Sequence, residues 1–132
     1  EQSITKIFTD SIEKSVWSIL KISVIICFFS GMLELILKYT NDTVYLILSS
    51  ILEISNGAIA SSAFFGTSPT LSVAMLAFAC GFGGLCVHMQ IITAQKSIKV
   101  KYFPLFFQKL LQGLLSSLLS VIGYKVINML EI

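Results

Sequence analysis

The residues able to bind a solute or an ion lie beside glycines inside long apolar stretches. Glu53 and Asn56 belong to the segment LEISNG, and His88 and Gln90 follow the glycines of GFGG. An ionised group in hydrocarbon is costly, so Glu53 must meet water, a substrate, a cation or a hydrogen-bond donor. This setting suits a small polar or anionic solute and leaves room for a coupling Na⁺ or H⁺. The candidate substrate-binding residues are Glu53, Ser55, Asn56, Gly57, Gly81, Gly83, Gly84, His88 and Gln90, to which helical spacing adds Ser49, Ser50 and Gln112.

Each candidate also has a purely structural interpretation. Glu53 and Asn56 fit turn residues at a membrane surface, and a lone His88 fits a bonded residue at a helix interface. Gln108 and Gln112 suit interhelical hydrogen bonding as well as a solute path. No nucleophile–base pair, zinc motif, phosphate loop or dinucleotide fingerprint occurs in the sequence. We therefore expect a protein that is not an enzyme and needs no cofactor or metal of its own.

The composition indicates which solvent surrounds these residues. Hydrophobic residues make up 55% of the 132-residue chain and charged residues 12%, whereas a soluble domain carries about 25% charged residues. A soluble chain of this length has too little interior to hide so much apolar surface. Lipid is therefore the expected partner. The net charge of +2 is too weak for a nucleic-acid footprint.

Hydrophobic periodicity predicts the elements that position the candidates. Residues 1–14 have the amphipathic pattern of a helix in the membrane interface, although a soluble docking helix has the same pattern. Residues 16–38, 70–93 and 104–130 are each long enough to cross a bilayer. The second of these segments is interrupted by GFGG. Trp17 suits an anchor at the membrane interface.

Residues 44–67 consist of two half-length arms separated by the polar stretch 55–57. This pattern predicts a re-entrant helical hairpin, and the alternative is one long kinked spanning helix. Charge separates the two alternatives. The lysines of the first helix and those of the connector 95–103 both reach the cytoplasm only if 44–67 enters and leaves the membrane on one side. The hairpin is therefore preferred.

Three stretches resemble a known family: LEISNG at 52–57, GFGGLCVHMQ at 81–90 and FFQKLLQGLLS at 106–116. Together they resemble the YlbJ (SpoVV) sporulation integral membrane proteins, which belong to the nucleoside-recognition or gate-domain family and are similar in layout to concentrative nucleoside transporters. The resemblance implies a small anion such as dipicolinic acid as solute, with a nucleoside-like solute as the other option. It also implies the mother-cell or outer forespore membrane. By position, the hairpin tip would hold Glu53, Asn56 and Gly57, and the broken helix Gly81, Gly83, Gly84, His88 and Gln90.

The expected fold is one all-α membrane domain over residues 1–132. It has an interfacial helix, three spanning helices of which one is glycine-broken, and a re-entrant hairpin, and it forms one inverted-repeat half of a carrier. The expected function is half of a transporter for a small polar or anionic solute in a multi-pass bacterial membrane. The rival is a structural or assembly membrane protein whose small-residue seams serve only helix packing.

The resemblance also bears on partners. Members of the family hold two such halves, so we expect a second repeat in the same longer chain or a homo-oligomeric partner. A lone copy is expected to leave Glu53, Asn56, His88 and Gln90 facing lipid or an unsealed gap, at a cost of several kcal/mol for each unsatisfied group.

The charge pattern generates a topological prediction. In a variant without native cysteines, we expect Asn41→Cys and Lys99→Cys to react with an impermeant maleimide from opposite faces of the membrane, with Lys99→Cys reacting only from the cytoplasm. The reason is the retention of basic loops on the cytoplasmic side. Labelling of both positions from one face would contradict the hairpin topology.

Overall fold

The computed structural model describes residues 3–94 and 101–130, and every regular element among them is a helix. Three helical stretches are long and apolar enough to cross a membrane: Ile4–Leu37, Pro69–Thr93 and Tyr102–Leu130. The prediction of an all-α membrane protein is confirmed at this level. The elements are α1 (Ile4–Leu37), α2 (Asp42–Leu52), α3 (Ile54–Phe64), α4 (Pro69–Phe82), α5 (Gly84–Ala94) and α6 (Tyr102–Leu130).

The first helix is continuous, and the expected division into an interfacial helix at 1–14 and a spanning helix at 16–38 is wrong. α1 has 34 residues, which extend for about 50 Å against about 30 Å for the hydrocarbon core of a bilayer. Nothing between residues 4 and 30 stops a helix, because that stretch contains neither glycine nor proline. At the expected junction the Ser15 hydroxyl donates to the carbonyl of Ser11 (2.8 Å), within the same helix.

α2 and α3 form a helical hairpin whose connection is a single residue. Glu53 is extended (φ −146°, ψ 125°), and each arm has 11 residues. The break therefore precedes the expected one at 55–57, because Ser55, Asn56 and Gly57 lie in the first turn of α3. The arms run side by side, since the start of α2 and the end of α3 line the same cavity.

The glycine break expected after the first half of the next spanning segment is present. Gly83 and Gly84 both have left-handed backbone angles, with φ of 85° and 72°. Residues with a Cβ seldom adopt these angles, so the two glycines end α4 and start α5. Pro69 stands at the start of α4, where a missing N–H costs no helical hydrogen bond.

α4 is at the centre of the packing, and α3 and α6 both lie against it. A Cβ added to Gly81 would come within 2.9 Å of the Gly113 Cα, so α4 and α6 cross at a pair of glycines. α6 begins two residues before the expected Pro104. Of the predicted connector 95–103, residues 95–100 lie outside the described part of the chain, and residues 102 and 103 are helical.

The remaining surface is largely apolar. Leu111, Leu118 and Ile122 on α6 are half or more exposed, as are Val24 and Phe28 on α1. Scattered apolar residues are normal on soluble proteins, but contiguous faces of this extent indicate lipid contact. The most buried side chains belong to the hairpin, α4, α5 and the second half of α1, whereas α6 contributes little to them.

The continuity of α1 can be tested by double electron–electron resonance, which measures the distance between two spin labels, here attached at Phe8→Cys and Phe28→Cys. A straight helix separates these positions by about 30 Å, whereas a right-angle bend at Ser15 brings them to roughly 22 Å. We expect the longer distance. The pair Val16→Cys and Phe28→Cys lies within the spanning part and is expected at about 18 Å in both cases, which calibrates the labels. A main population at the shorter distance would restore the separate interfacial helix.

Candidate functional site

The breaks in the two interrupted elements touch each other. A Cβ added to Gly84 would lie 3.2 Å from the Leu52 carbonyl oxygen and 3.3 Å from the Cα of Glu53. The connection of the hairpin thus packs directly against the start of α5. Glycine is required at Gly84 for two reasons: its positive φ and this approach of backbone to backbone.

Glu53 caps the helix that follows it. One carboxylate oxygen accepts from the Ser55 N–H (3.0 Å) and the other from the Asn56 N–H (2.7 Å). The side chain is 1% exposed. The first N–H groups of a helix have no partner within that helix, and they carry partial positive charge. The carboxylate satisfies two of them, and they in turn offset part of the cost of burying it.

Asn56 joins this cap to α1. Its Nδ2 donates to Glu53 (2.8 Å) and to the Ser30 hydroxyl (2.8 Å), which lies 26 residues earlier in the chain. The structure therefore unites Glu53, Ser55, Asn56 and Gly84, as the sequence predicts, and adds Ser30. The sequence signal for Ser30 was its position as a lone hydroxyl in the apolar run CFFSGM.

Ser49, Ser50 and Gly57 hold the hairpin arms together. A Cβ on Gly57 would come within 2.7 Å of the Ser50 Cα, so only glycine allows this approach. Both serine hydroxyls donate to the carbonyl of Leu46, at 3.0 and 2.8 Å. These buried residues act in packing, whereas Ser55 at the tip is exposed. The two serines thus belong beside the site, without a free donor directed into it.

His88 lies in a cluster of aromatic rings. Its ring centroid is 4.8 Å from that of Phe82, 5.4 Å from Phe106 and 6.0 Å from Tyr102. The side chain is 1% exposed, and neither ring nitrogen has a hydrogen-bond partner among the described residues. His88 therefore contacts rings of α4 and α6, and no described hydrogen bond joins it to the cap of Glu53.

Three further candidates lie away from the cap. The Gln90 amide donates to the Cys86 sulfur (3.3 Å) one turn earlier on α5. Gln112 is exposed on α6, where its side chain accepts from the Lys109 ammonium (3.1 Å). Gly81 is helical and belongs to the crossing of α4 and α6. These three residues each contact other neighbours, because side chains on different faces of a helix meet different surroundings. That they share one solute site with Glu53 therefore stays a prediction.

A single copy of the chain buries Glu53 and His88 and half-buries Asn56 and Gln90. The expectation that Glu53 and His88 of a lone copy would face lipid is wrong, since each is 1% exposed. The hairpin and the broken helix cover Glu53, and the aromatic rings cover His88. Among the described residues, no group of three or more His, Cys, Asp or Glu side chains could hold a metal ion.

Comparison with models of protein families, with curated proteins and with solved structures finds no match for this chain. The resemblance to the sporulation membrane proteins therefore stays a prediction from three sequence stretches.

Gly84 gives a direct test of the contact between the two breaks. We expect Gly84→Ala to destabilise the folded chain by about 1–2 kcal/mol through its left-handed angle alone, and further through the contact with Leu52. Gly31→Ala is the matched control, because a Cβ there meets nothing within 4 Å and replacing glycine inside a helix is favourable by up to about 1 kcal/mol. Detergent-induced unfolding followed by circular dichroism measures both. Equal stability of the two variants would contradict both the left-handed angle of Gly84 and its contact with Leu52.

Proposed function

We propose that this chain is one half of a membrane carrier for a small polar or anionic solute. In this proposal α2 and α3 enter the membrane and return as a re-entrant hairpin, and α4 and α5 form one discontinuous spanning helix. The observation that carries the proposal is the contact of Gly84 with Leu52 and Glu53, where the interruptions of two helical elements meet. Secondary transporters bind solutes at interruptions of this kind.

Helix lengths support a position near the middle of the membrane. Each hairpin arm has 11 residues, or about 16 Å, which is half of a hydrocarbon core of about 30 Å. α4 has 14 residues and α5 has 11, so their break lies about 21 Å from one end and about 16 Å from the other. A hairpin of this depth reaches the level of the break, where its tip contacts it.

The charges of the helix ends support an anion or an ion-coupled solute. Two helices, α3 and α5, begin at the meeting point, and two, α2 and α4, end there. Helix starts attract anions and helix ends attract cations. The carboxylate of Glu53 occupies the start of α3, so a solute carboxylate would compete with it or a coupling Na⁺ or H⁺ would neutralise it.

The identity of the solute and of the partner rests on the sequence alone. The stretches 52–57, 81–90 and 106–116 support dipicolinic acid or a nucleoside-like solute, and a membrane of a spore-forming bacterium. Carriers of this layout bind their solute between two inverted repeats, so we propose a second repeat in the same longer chain or in a partner copy. The exposed Ser55 at the tip suits the side turned towards that repeat.

A second function is favoured by a specific observation. Glu53 is 1% exposed, and both of its oxygens accept hydrogen bonds from the chain itself. A closed and internally satisfied carboxylate fits a structural or assembly protein, whose helix break serves packing only. The carrier requires that water and solute reach the tip of the hairpin during function. The packing module requires that they never do.

Access of water to the hairpin tip separates the two functions. In cell membranes and a variant without native cysteines, we expect Ser55→Cys to react with a water-soluble maleimide, because a carrier opens an aqueous path to its site. Tyr39→Cys, which is 87% exposed beyond α1, is the positive control, and Leu118→Cys, which is 58% exposed on the apolar face of α6, is the lipid-facing control. Dipicolinate should slow the reaction at Ser55→Cys alone. If Ser55→Cys is as unreactive as Leu118→Cys, the carrier is rejected and the packing module stands.

A further inference from the structure

Two neighbouring cavities between α1 and α5 have opposite character. The first has a volume of about 400 Å³, and its polar lining consists of Ser18, Lys21, Gln90 and Thr93. The second has a volume of about 370 Å³, and apart from the two residues it shares with the first its lining is apolar. Lys21 and Thr93 line both cavities. A polar recess and an apolar groove thus adjoin each other at Lys21 and Thr93.

Among the residues that the structure describes, Lys21 is the only charged one that lines either cavity. The hydroxyls of Ser18 and Thr93 donate to backbone carbonyls, of Lys14 (2.8 Å) and Gln90 (2.9 Å) respectively. The ammonium of Lys21 is therefore the charge that the described lining offers to a ligand of the recess. A ligand that fits it carries a negative charge.

The cavities lie at the level of a membrane surface. Thr93 is the last residue of the spanning stretch Pro69–Thr93, and Trp17, which lines the apolar groove, is a residue type enriched at membrane interfaces. Lys21 is one turn deeper than Trp17, about 6 Å along the helix, and its long stem carries the ammonium back towards the headgroups. The predicted topology puts this end of α1 on the cytoplasmic side.

We propose that these cavities bind one anionic phospholipid of the cytoplasmic leaflet. The phosphate of the headgroup lies against Lys21 in the polar recess, and an acyl chain follows Leu20, Val24 and Ile25 in the groove. A free phosphate would use only the recess, whereas the continuous apolar groove adds the area that selects a lipid. Basic pockets beside spanning helices on the cytoplasmic side recognise anionic headgroups in this way. The proposal requires a membrane-embedded chain and does not depend on the carrier function.

The chain contains one tryptophan, and it lies in the groove, so its fluorescence reports the bound lipid. The full chain is reconstituted in vesicles of equal parts phosphatidylglycerol and phosphatidylcholine, with brominated acyl chains on one lipid or the other. We expect brominated phosphatidylglycerol to occupy the site next to Trp17 about fivefold more often than brominated phosphatidylcholine, the factor that one lysine contributes at an anionic surface. Equal quenching by the two lipids would overturn the proposal.

Two variants and one competitor complete the test. Lys21→Gln should abolish the preference, whereas Lys6→Gln should retain it, because it makes the same change of charge on the same helix but lines neither these cavities nor the adjoining one around Trp17. An equal loss in both variants would mean diffuse attraction to the surface and would refute the site. Millimolar inorganic phosphate should leave the quenching unchanged, and displacement by it would reveal a small-anion site instead of a lipid site. An unchanged circular dichroism spectrum of Lys21→Gln verifies that the variant is folded.

Discussion

A helix that is interrupted in apolar surroundings leaves backbone N–H and C=O groups that water cannot satisfy, so the protein itself must supply their partners. The described part of the chain contains two such interruptions, at Glu53 and at Gly83 and Gly84. At the first, the carboxylate of Glu53 accepts from the N–H groups of Ser55 and Asn56. The side chain most costly to bury thus supplies the hydrogen-bond partners that the break requires, and burial of either one would be unfavourable without the other.

The close packing around the cap follows from this requirement. Glu53 is shielded from water only if neighbouring backbones approach it closely. Glycine allows each close approach: Gly57 lies against Ser50, and Gly84 lies against Leu52. Asn56 ties the cap to Ser30 on α1. The hairpin is consequently attached to the spanning helices on both sides, by van der Waals contact with α5 and by a hydrogen bond with α1.

Two kinds of polar residue can be distinguished by their partners. Glu53, Asn56 and Ser30 satisfy one another, whereas His88 is enclosed by aromatic rings without a described hydrogen-bond partner. Lys21 belongs to neither group, because it lines the two cavities between α1 and α5. Burial of Glu53 and His88 within one copy removes the argument that a partner is needed to cover them. The proposed second repeat is supported instead by the exposed tip of the hairpin and by the layout of interrupted helices.

The sequence by itself determined the membrane class, the three long apolar stretches and the glycine interruption, because hydropathy is a property of each stretch by itself and glycine adopts left-handed backbone angles without strain. It also indicated a hairpin of two short arms. Only the tertiary structure decided the contact between the two interruptions, the role of Ser30 and the location of His88 among Phe82, Phe106 and Tyr102. The exact residue of the first break was likewise decided there: a buried cap makes Glu53 the connection, although Asn56 and Gly57 have the stronger local tendency to end a helix. The sequence pattern did not predict that α1 is continuous. The pattern changes from amphipathic to apolar near residue 15, which marks a change of surrounding solvent but requires no change in the direction of the backbone.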